Sequence, residues 1–369
     1  MIKIGFDAKR LFKTKSGLGA YSRSLVRQIL YQFPDVKIHL YTPQYEENDD
    51  TRFFSNHARV RVHVIPWPPW LWRSFLLPLI INRHKLDVFH GLSAELPFLR
   101  IRKGTKKVMT VHDVIFKSHP HYYTFFDKWL HGIKLNWSKS RADSIICVSD
   151  HTKAEFSKYY QSKQEIAVIS PILDEFHANP NLHLKESEFR SLHNLKKGYF
   201  LYVGDITGRK NVSVLLKAVS KIDPSKRKKL IFITNQDATK LLQEAEELDI
   251  YDWIRVENGI SNRILSHYYA YATAVIYPSN AEGFGIPVLE AISYRVRVVC
   301  SNHPAIKEAG GDLSIYFDPE NAQQLSEILI SLHTYERNRE EDTLRHLNTF
   351  NPKLICDKVM NLYIGQEGK

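Results

Sequence analysis

Short runs of β-branched and aromatic residues alternate with helical patterns along nearly the whole chain. Thirteen such runs predict strands, seven in the first half and six in the second. They cover residues 3–6, 37–41, 60–65, 88–90, 108–111, 144–148 and 166–169, then 200–203, 230–233, 254–256, 274–277, 298–300 and 314–317. Near-continuous apolar strands separated by helices are typical of parallel sheets that are buried on both faces. The pattern therefore predicts an α/β protein with two Rossmann-like, doubly wound domains facing each other across a cleft.

A polar stretch separates the two series of strands. Residues 179–197 are rich in Asn, His and charge and have no clear period, so we interpret them as a linker. The predicted domains are residues 1–178 and residues 198–349, and residues 350–369 are predicted as a further helix after the last strand. The apolar residues of that last helical pattern are Leu354, Val359, Leu362 and Tyr363.

Charge is distributed unevenly between the two halves. The chain of 369 residues carries a formal net charge of +11, and residues 1–180 hold 27 of the 51 basic and 16 of the 40 acidic side chains. The whole excess therefore belongs to the N-terminal half, which is expected if that half alone meets an anionic partner. Nucleic acid, an anionic membrane surface and a phosphorylated acceptor all satisfy this condition.

The cysteines and the hydropathy of the chain indicate a reducing compartment. Cys147 and Cys300 lie in apolar strand-like runs and Cys356 is alone, with no Cys-x-x-Cys spacing, so buried inert thiols are expected. The N-terminus has no signal-peptide core, and the longest apolar run, residues 75–81, is far shorter than a membrane span. We expect a cytoplasmic protein.

The string SNAEGFGIPVLEA, residues 279–291, carries the strongest chemical signal. Gly283 and Gly285 allow close approach of the backbone to a ligand, and Pro287 suits the first turn of a helix whose N-terminus would face a diphosphate. Glu290, one turn inside that helix, has two oxygens that accept hydrogen bonds from a cis-diol such as ribose. Glu282 would face another part of the same ligand.

A second string, YVGDITGRKN, covers residues 202–211. A strand runs into Gly204, and Arg209 and Lys210 follow before an amphipathic helix. Two cations after the first strand of a Rossmann-like half suit a pyrophosphate whose negative charge grows as it leaves. A solvated basic turn is the alternative interpretation of such a pair.

These strings, with SNHPAIKEAGGD in the second half and DAKRLFKTKSGLGAYSRSL and TVHDVIF in the first, resemble the family 4 retaining glycosyltransferases of GT-B fold. The resemblance implies that the C-terminal domain binds a nucleoside-diphosphate sugar and that the N-terminal domain binds the acceptor, with the terminal helix packed on that domain. It places Arg209 and Lys210 on the diphosphate, Glu290 on the ribose, and Glu282 on the donor sugar. The implied donor-binding residues are Gly17, Gly19, Gly204, Arg209, Lys210, Glu282, Gly283, Phe284, Gly285 and Glu290, and the implied catalytic residues are His112, Arg209, Lys210 and Glu282.

The position of His112 in the sequence also favours a functional role. It directly follows the predicted strand 108–111, where parallel strands of an open sheet present ligand-binding loops. Asp113 beside it has a simpler alternative role as a cap of the next segment. The chain departs from the family at two turns, where Thr207 and Gly208 replace a common Glu-Pro and where Arg295 and Arg297 replace a Gly and a Pro.

The spacing of the acidic, histidine and cysteine residues bears on metal use. No two aspartates are separated by one residue, so the Asp-x-Asp motif that holds a diphosphate-bound metal is absent from the sequence, and no His/Cys cluster has zinc spacing. We therefore expect neither a metal nor another cofactor, with the nucleoside-diphosphate sugar as co-substrate. The leaving-group charge would then be met by protein cations and helix dipoles.

The aromatic stretch at residues 66–85 has two open interpretations. Trp67, Trp70 and Trp72 lie beside Arg73 and Arg83. A buried helix with charged ends is one interpretation, and an interfacial, lipid-facing surface is the other. The second agrees with a peripheral contact between the N-terminal domain and an anionic membrane.

Together these observations predict a metal-independent, retaining hexosyltransferase. The donor would be a nucleoside-diphosphate sugar, with GDP-mannose the first choice, and the acceptor a hydroxyl of a glycan or lipid-linked glycan in cell-surface polysaccharide or lipopolysaccharide assembly. A catalytically silent GT-B subunit that binds a partner enzyme is one alternative. A basic nucleic-acid-binding protein is another, but it would have no donor-binding constellation, whereas the predicted loops here are organised around a diphosphate, and no nucleic-acid partner is expected.

Overall fold

The computed structural model describes residues 1–13, 17–66, 72–178, 182–195, 198–332 and 337–365. The chain divides into two compact units, Met1–Ile172 with Phe350–Lys369, and Leu173–Thr349. Trp67 and Trp70 of the aromatic stretch lie outside the described residues.

The first unit is built on a seven-stranded sheet in which every neighbouring pair is parallel. Its strands lie in the order β3-β2-β1-β4-β5-β6-β7. The strand order reverses between β1 and β4, so the carboxyl ends of these two strands form the switch point where open α/β sheets bind ligands. The strands are β1 (Ile2–Asp7), β2 (Val36–Thr42), β3 (Val60–Val64), β4 (Val88–Gly91), β5 (Lys106–Val111), β6 (Ser144–Cys147) and β7 (Glu165–Val168).

Helices follow these strands in the first unit. They are α1 (Lys9–Lys13), α2 (Gly17–Gln32), α3 (Arg52–Asn56), α4 (Leu77–His84) after a π-helical turn at Trp72–Leu76, α5 (Ile115–Ser118), α6 (Phe125–Arg141), α7 (Asp150–Tyr159) and the terminal α17 (Pro352–Ile364). Tyr21, Leu25 and Ile29, at fourfold spacing on α2, are all buried, which is the expected result for a stripe that packs on a sheet.

The second unit repeats the architecture with a six-stranded parallel sheet. Its order is β10-β9-β8-β11-β12-β13, so the switch point lies between β8 and β11. The strands are β8 (Tyr199–Val203), β9 (Lys229–Ile233), β10 (Ile254–Glu257), β11 (Ala274–Tyr277), β12 (Arg297–Ser301) and β13 (Ser314–Phe317). The helices are α8 (Glu175–Ala178), α9 (Glu186–Leu192), α10 (Val212–Ser220), α11 (Thr239–Glu247), α12 (Asn262–Tyr271), α13 (Ile286–Ser293), α14 (Pro304–Gly310), α15 (Ala322–Ser331) and α16 (Glu340–Asn348).

The fold predicted from the sequence, two Rossmann-like α/β domains, is confirmed. Each of the thirteen predicted strands is present with its ends within two residues of the predicted ones. These strands were recognisable because both faces of a parallel sheet are covered by helices, so the strands are apolar throughout.

The segment predicted as a linker contains a helix. Residues 186–192 form α9, and the second unit includes the segment. Phe189 is fully buried and packs edge-on against Tyr268, with ring centroids 5.0 Å apart, while Glu188 accepts a hydrogen bond from the backbone N–H of Lys185 at the start of the helix. One aromatic residue in a polar helix gives no period, which explains why the pattern did not show it. Residues 179–181 and 196–197 of the predicted linker lie outside the described residues.

The terminal helix α17 belongs to the first unit, where it packs on α2. Val359, Leu362 and Tyr363 are buried as the pattern predicted, but Leu354 is exposed and its neighbour Ile355 is buried instead. Tyr363 forms a 2.6 Å hydrogen bond between its hydroxyl and Nδ1 of the buried His90 on β4.

Among its described residues, the aromatic stretch has both buried and exposed side chains, and its lipid-facing interpretation stays a prediction. Trp72 is completely buried and contributes to the core of the first unit, whereas Phe75 and Leu79 are about half exposed. Among the described residues, no helix has the length and hydropathy needed to cross a bilayer.

The departure at Arg295 has a visible backbone consequence. Arg295 adopts a left-handed conformation with φ of 58°, at a position where the family resemblance leads one to expect glycine. Its Nε donates to the carbonyl of Asn338 at 3.1 Å, and its guanidinium pairs with Glu340 at 2.9 Å. These contacts offset the strain of a non-glycine residue in this region, which costs on the order of 1 kcal/mol.

Candidate functional site

Two loops meet at the switch point of the second unit. One follows β8 and carries Gly204 to Asn211, and the other follows β11 and carries Ser279 to Gly285. The backbone N–H of Asn280 donates to the carbonyl of Arg209 at 2.9 Å, and the Asn211 amide donates to the side-chain oxygen of Asn280 at 3.1 Å. The two strongest sequence strings are therefore joined directly in space.

Glu282 lies at the centre of the joined loops. Its Oε1 accepts hydrogen bonds from Lys210 Nζ at 2.5 Å, from Ser279 Oγ at 2.5 Å and from the Tyr277 hydroxyl at 3.0 Å. Arg209 Nη1 lies 3.2 Å from the same oxygen. Glu282 is 9% exposed and Lys210 is 7% exposed, so this ion pair is largely removed from water.

The electrostatics of the cluster keep Glu282 ionised. Burial by itself raises the pKa of a carboxyl group, but the charges of Lys210 and Arg209, with the hydrogen bonds from Lys210 and Ser279, outweigh burial and lower the pKa of Glu282 to about 2. Burial and the neighbouring Glu282 raise the pKa of Tyr277 well above its usual value, so Tyr277 remains a neutral donor. Two cations and one anion leave the cluster with a net positive charge of one.

The hydrogen bonds to Glu282 are distributed unevenly between its two oxygens. Within the described part of the chain, all of them use Oε1 and none uses Oε2. An ionised carboxylate has about four acceptor sites, so Oε2 retains the capacity to accept from a ligand hydroxyl. Its position is fixed by the groups that hold Oε1.

Glu290 occupies a second anchored position, on α13. Its Oε2 accepts a 2.8 Å hydrogen bond from the Tyr269 hydroxyl, and its Oε1 lies 3.7 Å from Nε2 of His177. His177 is positioned in turn by a 3.0 Å hydrogen bond between its Nδ1 and the Tyr294 hydroxyl. The carboxylate is therefore held by aromatic residues of the same unit, and its Oε1 has capacity for a further donor.

The glycines predicted to approach the donor have backbone conformations that explain their presence. Gly204 has φ of 139° and Gly285 has φ of 115°, both in the region that side chains disfavour. Gly285 directly precedes α13, and Pro287 occupies its first turn. Gly283 and Phe284 are buried within the loop. This arrangement turns the chain sharply so that the first turn of α13 begins next to the Glu282 cluster.

In the first unit, His112 follows β5 and is held by its surroundings. Its Nε2 lies 2.7 Å from the Leu92 carbonyl, so the Nε2–H donates and Nδ1 carries the lone pair. The Tyr21 ring meets it edge-on with centroids 4.7 Å apart. Burial lowers the pKa of His112, so the ring is neutral at neutral pH. Asp113 caps the next segment, since its Oδ1 accepts from the backbone N–H of Ile115 at 3.1 Å.

Gly17 and Gly19 lie in the first turn of α2. They belong to the first unit, and their predicted approach to the donor stays a prediction.

Sequence reasoning missed the residues that hold the two glutamates. Ser279 begins the string 279–291 and Tyr277 ends the predicted strand 274–277, and their distances of three and five positions from Glu282 were a usable signal. Tyr269 and His177 come from α12 and α8, and no local spacing connects them to Glu290.

Two family models match the chain, one in each half. The model "Glycosyltransferase Family 4" matches residues 16–175, and "Glycosyl transferases group 1" matches residues 185–343. The second match includes both loops of the Glu282 cluster. The chain belongs to the family 4 glycosyltransferases.

Curated relatives of this glycosyltransferase include two enzymes of O-antigen assembly. It is 27% identical to the O-antigen chain mannosyltransferase B of Escherichia coli over 374 aligned residues, which cover 94% of each chain. It is 26% identical to the O-antigen chain mannosyltransferase RfbU of Salmonella typhimurium over 68% of this chain and 69% of that one.

Solved structures show the same fold. WaaG, described as a glycosyltransferase involved in lipopolysaccharide biosynthesis, superposes with a TM-score of 0.76 at 16% identity, covering 99% of this chain and 100% of that one. Anabaena HepE in complex with UDP and glucose superposes with a TM-score of 0.74 at 14% identity, covering 99% and 100%. These likenesses place the enzyme in the GT-B fold.

Proposed function

We propose that this enzyme transfers mannose from a nucleoside-diphosphate sugar, GDP-mannose first, to a hydroxyl of a glycan or lipid-linked glycan acceptor in O-antigen or related lipopolysaccharide assembly, with retention of configuration. The names of the relatives support the sugar and the setting. The observation that carries the proposal is the Glu282 cluster, in which one carboxylate oxygen is held by four groups and the other is left to accept from a ligand.

The cluster suits a donor that is anionic at one end and hydroxylated at the other. Its net positive charge attracts a diphosphate, and Lys210 Nζ uses two of its three N–H donors on Glu282 and Tyr277 among the described residues. The third donor is assigned to the diphosphate, together with the guanidinium of Arg209. Glu282 Oε2 is assigned to a sugar hydroxyl and Glu290 Oε1 to the ribose.

The transfer step exchanges two bonds at the anomeric carbon. The bond from this carbon to the diphosphate oxygen breaks, and the acceptor oxygen bonds to the same face. The acceptor proton passes to the departing diphosphate oxygen, so no protein nucleophile is needed and the α-configuration is retained. Lys210, Arg209 and the first turn of α13 stabilise the charge that grows on the leaving group, and a single well-placed donor of this kind contributes about 3 kcal/mol.

His112 is assigned to the sugar substrates from the first unit. Because Nε2 is engaged by the Leu92 carbonyl, Nδ1 is the nitrogen that accepts from a sugar hydroxyl. Its neutral state makes it a hydrogen-bond acceptor rather than a charged acid.

We also propose that the first unit contacts an anionic membrane at the cytoplasmic face, where a lipid-linked acceptor would be presented. Phe126, Trp129 and Ile133 form an exposed stripe on α6, at 64%, 55% and 47% exposure, and Phe125 beside them is 81% exposed. A shallow groove next to the stripe is lined by the lysines of positions 117, 128 and 139. Aromatic side chains flanked by lysines are typical of helices that lie in a membrane interface.

The membrane contact is tested by co-sedimentation of the full chain with vesicles of phosphatidylglycerol and phosphatidylcholine. The double variant Phe126→Ser, Trp129→Ser is expected to lose most of its vesicle binding, whereas Leu344→Ser, a substitution at a position as exposed as Trp129, is expected to keep it. Equal binding of both variants would contradict the assignment of this surface.

The transfer itself is tested with GDP-mannose, UDP-glucose and UDP-N-acetylglucosamine, each with lipid-linked glycan acceptors and with a chelator present. Mannose transfer from GDP-mannose, with an α-linkage in the product by NMR, supports the proposal. A β-linkage would contradict retention, and strict loss of transfer in the chelator, restored by added metal, would contradict metal independence. Folded protein with no transfer and no donor binding would favour a silent subunit.

A further inference from the structure

Three histidines converge in the first unit from separate elements. His39 lies on β2, His63 on β3 and His84 at the end of α4. His63 pairs with Tyr41 across the two strands, and His39 lies two residues from Tyr41, so both histidines project from one face of the sheet. One ring nitrogen from each of the three lies within 4.8 Å of the others.

The distances between the rings suit a single ion. His39 Nδ1 lies 3.0 Å from His63 Nε2, and the ring centroids of His63 and His84 are 4.4 Å apart. Bonds of about 2.0–2.1 Å from a tetrahedral zinc ion to imidazole nitrogens place those nitrogens roughly 3.4 Å apart. The first pair needs a shift of a few tenths of an ångström, and the nitrogen of His84, which lies within 4.8 Å of the other two, has to move closer by rotation of its ring.

A hydrogen bond outside the three rings fixes one of them. The Tyr41 hydroxyl lies 2.8 Å from His84 Nδ1. Outer contacts of this kind orient histidine ligands in metal sites.

The type of ligand atom decides which metal the site fits. Arg61 and Lys3 lie close enough to His39 to act on it electrostatically. Neutral imidazole is the metal ligand, and it selects zinc, copper, nickel and cobalt over magnesium and calcium, which prefer oxygen. Arg61 and Lys3 also repel a cation and set a limit on its affinity.

We propose that His39, His63 and His84 bind one divalent transition-metal ion, with zinc the fitting choice, and that the ion clips β2, β3 and α4 together. Water would take the fourth position, because no carboxylate or cysteine among the described residues joins the three nitrogens. An ion at this site does not conflict with the expected metal independence of transfer, because that expectation concerns the donor site in the second unit. Its ligands are 24 and 21 residues apart, so the sequence shows no short-range zinc-binding motif for this site.

The test uses the full chain without a histidine tag, stripped with a chelator and titrated with Co²⁺ and then Zn²⁺. We expect one equivalent of Co²⁺ with the intense visible bands of a four-coordinate site, displaced by Zn²⁺, and a higher melting temperature with Zn²⁺. His63→Ala should weaken binding by at least the roughly tenfold to hundredfold that loss of an outer-shell partner causes. His121→Ala, at an exposed histidine, should leave it unchanged.

Three results would overturn the proposal. The first is the absence of stoichiometric binding by the folded chain, and the second is binding that survives in His63→Ala. Since a core-facing variant can misfold, His84→Asn at the half-buried end of α4 serves as the second variant, and retention of full affinity there would also overturn it.

Discussion

The charge of Glu282 gives a quantitative prediction about stability. Glu282→Gln keeps the size of the side chain and its carbonyl oxygen but removes the negative charge that Lys210 and Arg209 surround. The two cations then lose their counter-ion inside a site with little access to water. We expect the second unit to lose stability, and the loss to depend on pH.

The magnitude follows from the pKa of the carboxyl group. It is lowered from 4.5 to about 2 in the folded chain, and a difference of this size corresponds to about 3 kcal/mol of stability at pH 7. Because the folded pKa is the lower one, this contribution is complete above pH 4.5 and is lost as the pH falls toward 2. At a pH of about 3 roughly 1 kcal/mol remains, so the difference between native and variant chains should narrow by about 2 kcal/mol.

Urea unfolding followed by circular dichroism at pH 7 and near pH 3 measures this difference. The two units are fitted as separate transitions, because a chain with two domains need not unfold in one step. Glu247→Gln on α11, an exposed position, is the matched control and should change stability by less than about 0.5 kcal/mol at either pH. A gap for Glu282→Gln that is the same at both pH values would refute the reasoning, since the charge would then contribute nothing.

Three further predictions concern the substrates. Lys210→Ala should lower turnover in steady-state transfer assays by on the order of a hundredfold, which corresponds to about 3 kcal/mol of activation free energy. Lys217→Ala, on the exposed face of α10, is the control and should leave turnover unchanged. Glu290→Gln should raise the KM for the donor more than it lowers kcat. Tyr269→Phe removes only the hydrogen bond that holds the carboxylate, so it should have a smaller effect in the same direction. An unchanged donor affinity in Glu290→Gln would disprove the ribose contact. His112→Ala should slow transfer, and because burial keeps this ring neutral, the rate of the native enzyme should show no step from His112 around neutral pH in a pH–rate profile.

The strands and the site loops could be predicted because their causes are local. An apolar run such as residues 274–277 must be a buried strand, and a left-handed residue such as Gly285 ahead of Pro287 must turn the chain into a helix. In both cases, a few neighbouring residues determine the local structure.

The connections between these elements could not be predicted, because their causes are distant in sequence. Lys210 and Glu282 are separated by 72 positions, and nothing in either string says that they share a hydrogen bond. Phe189 in α9 is buried because it packs against Tyr268, which is distant in sequence. The three histidines of the first unit come together only when β2, β3 and α4 have packed.

The central claim is that the second unit binds a nucleoside-diphosphate sugar through the Glu282 cluster. A thermal-shift series with UDP, GDP, dTDP and CMP and their common sugars, without added metal, tests it most directly, because a ligand that binds only the folded state raises the melting temperature. We predict a selective rise with GDP and GDP-mannose that is reduced in Lys210→Ala. No rise with any nucleotide, from folded protein, would contradict the claim.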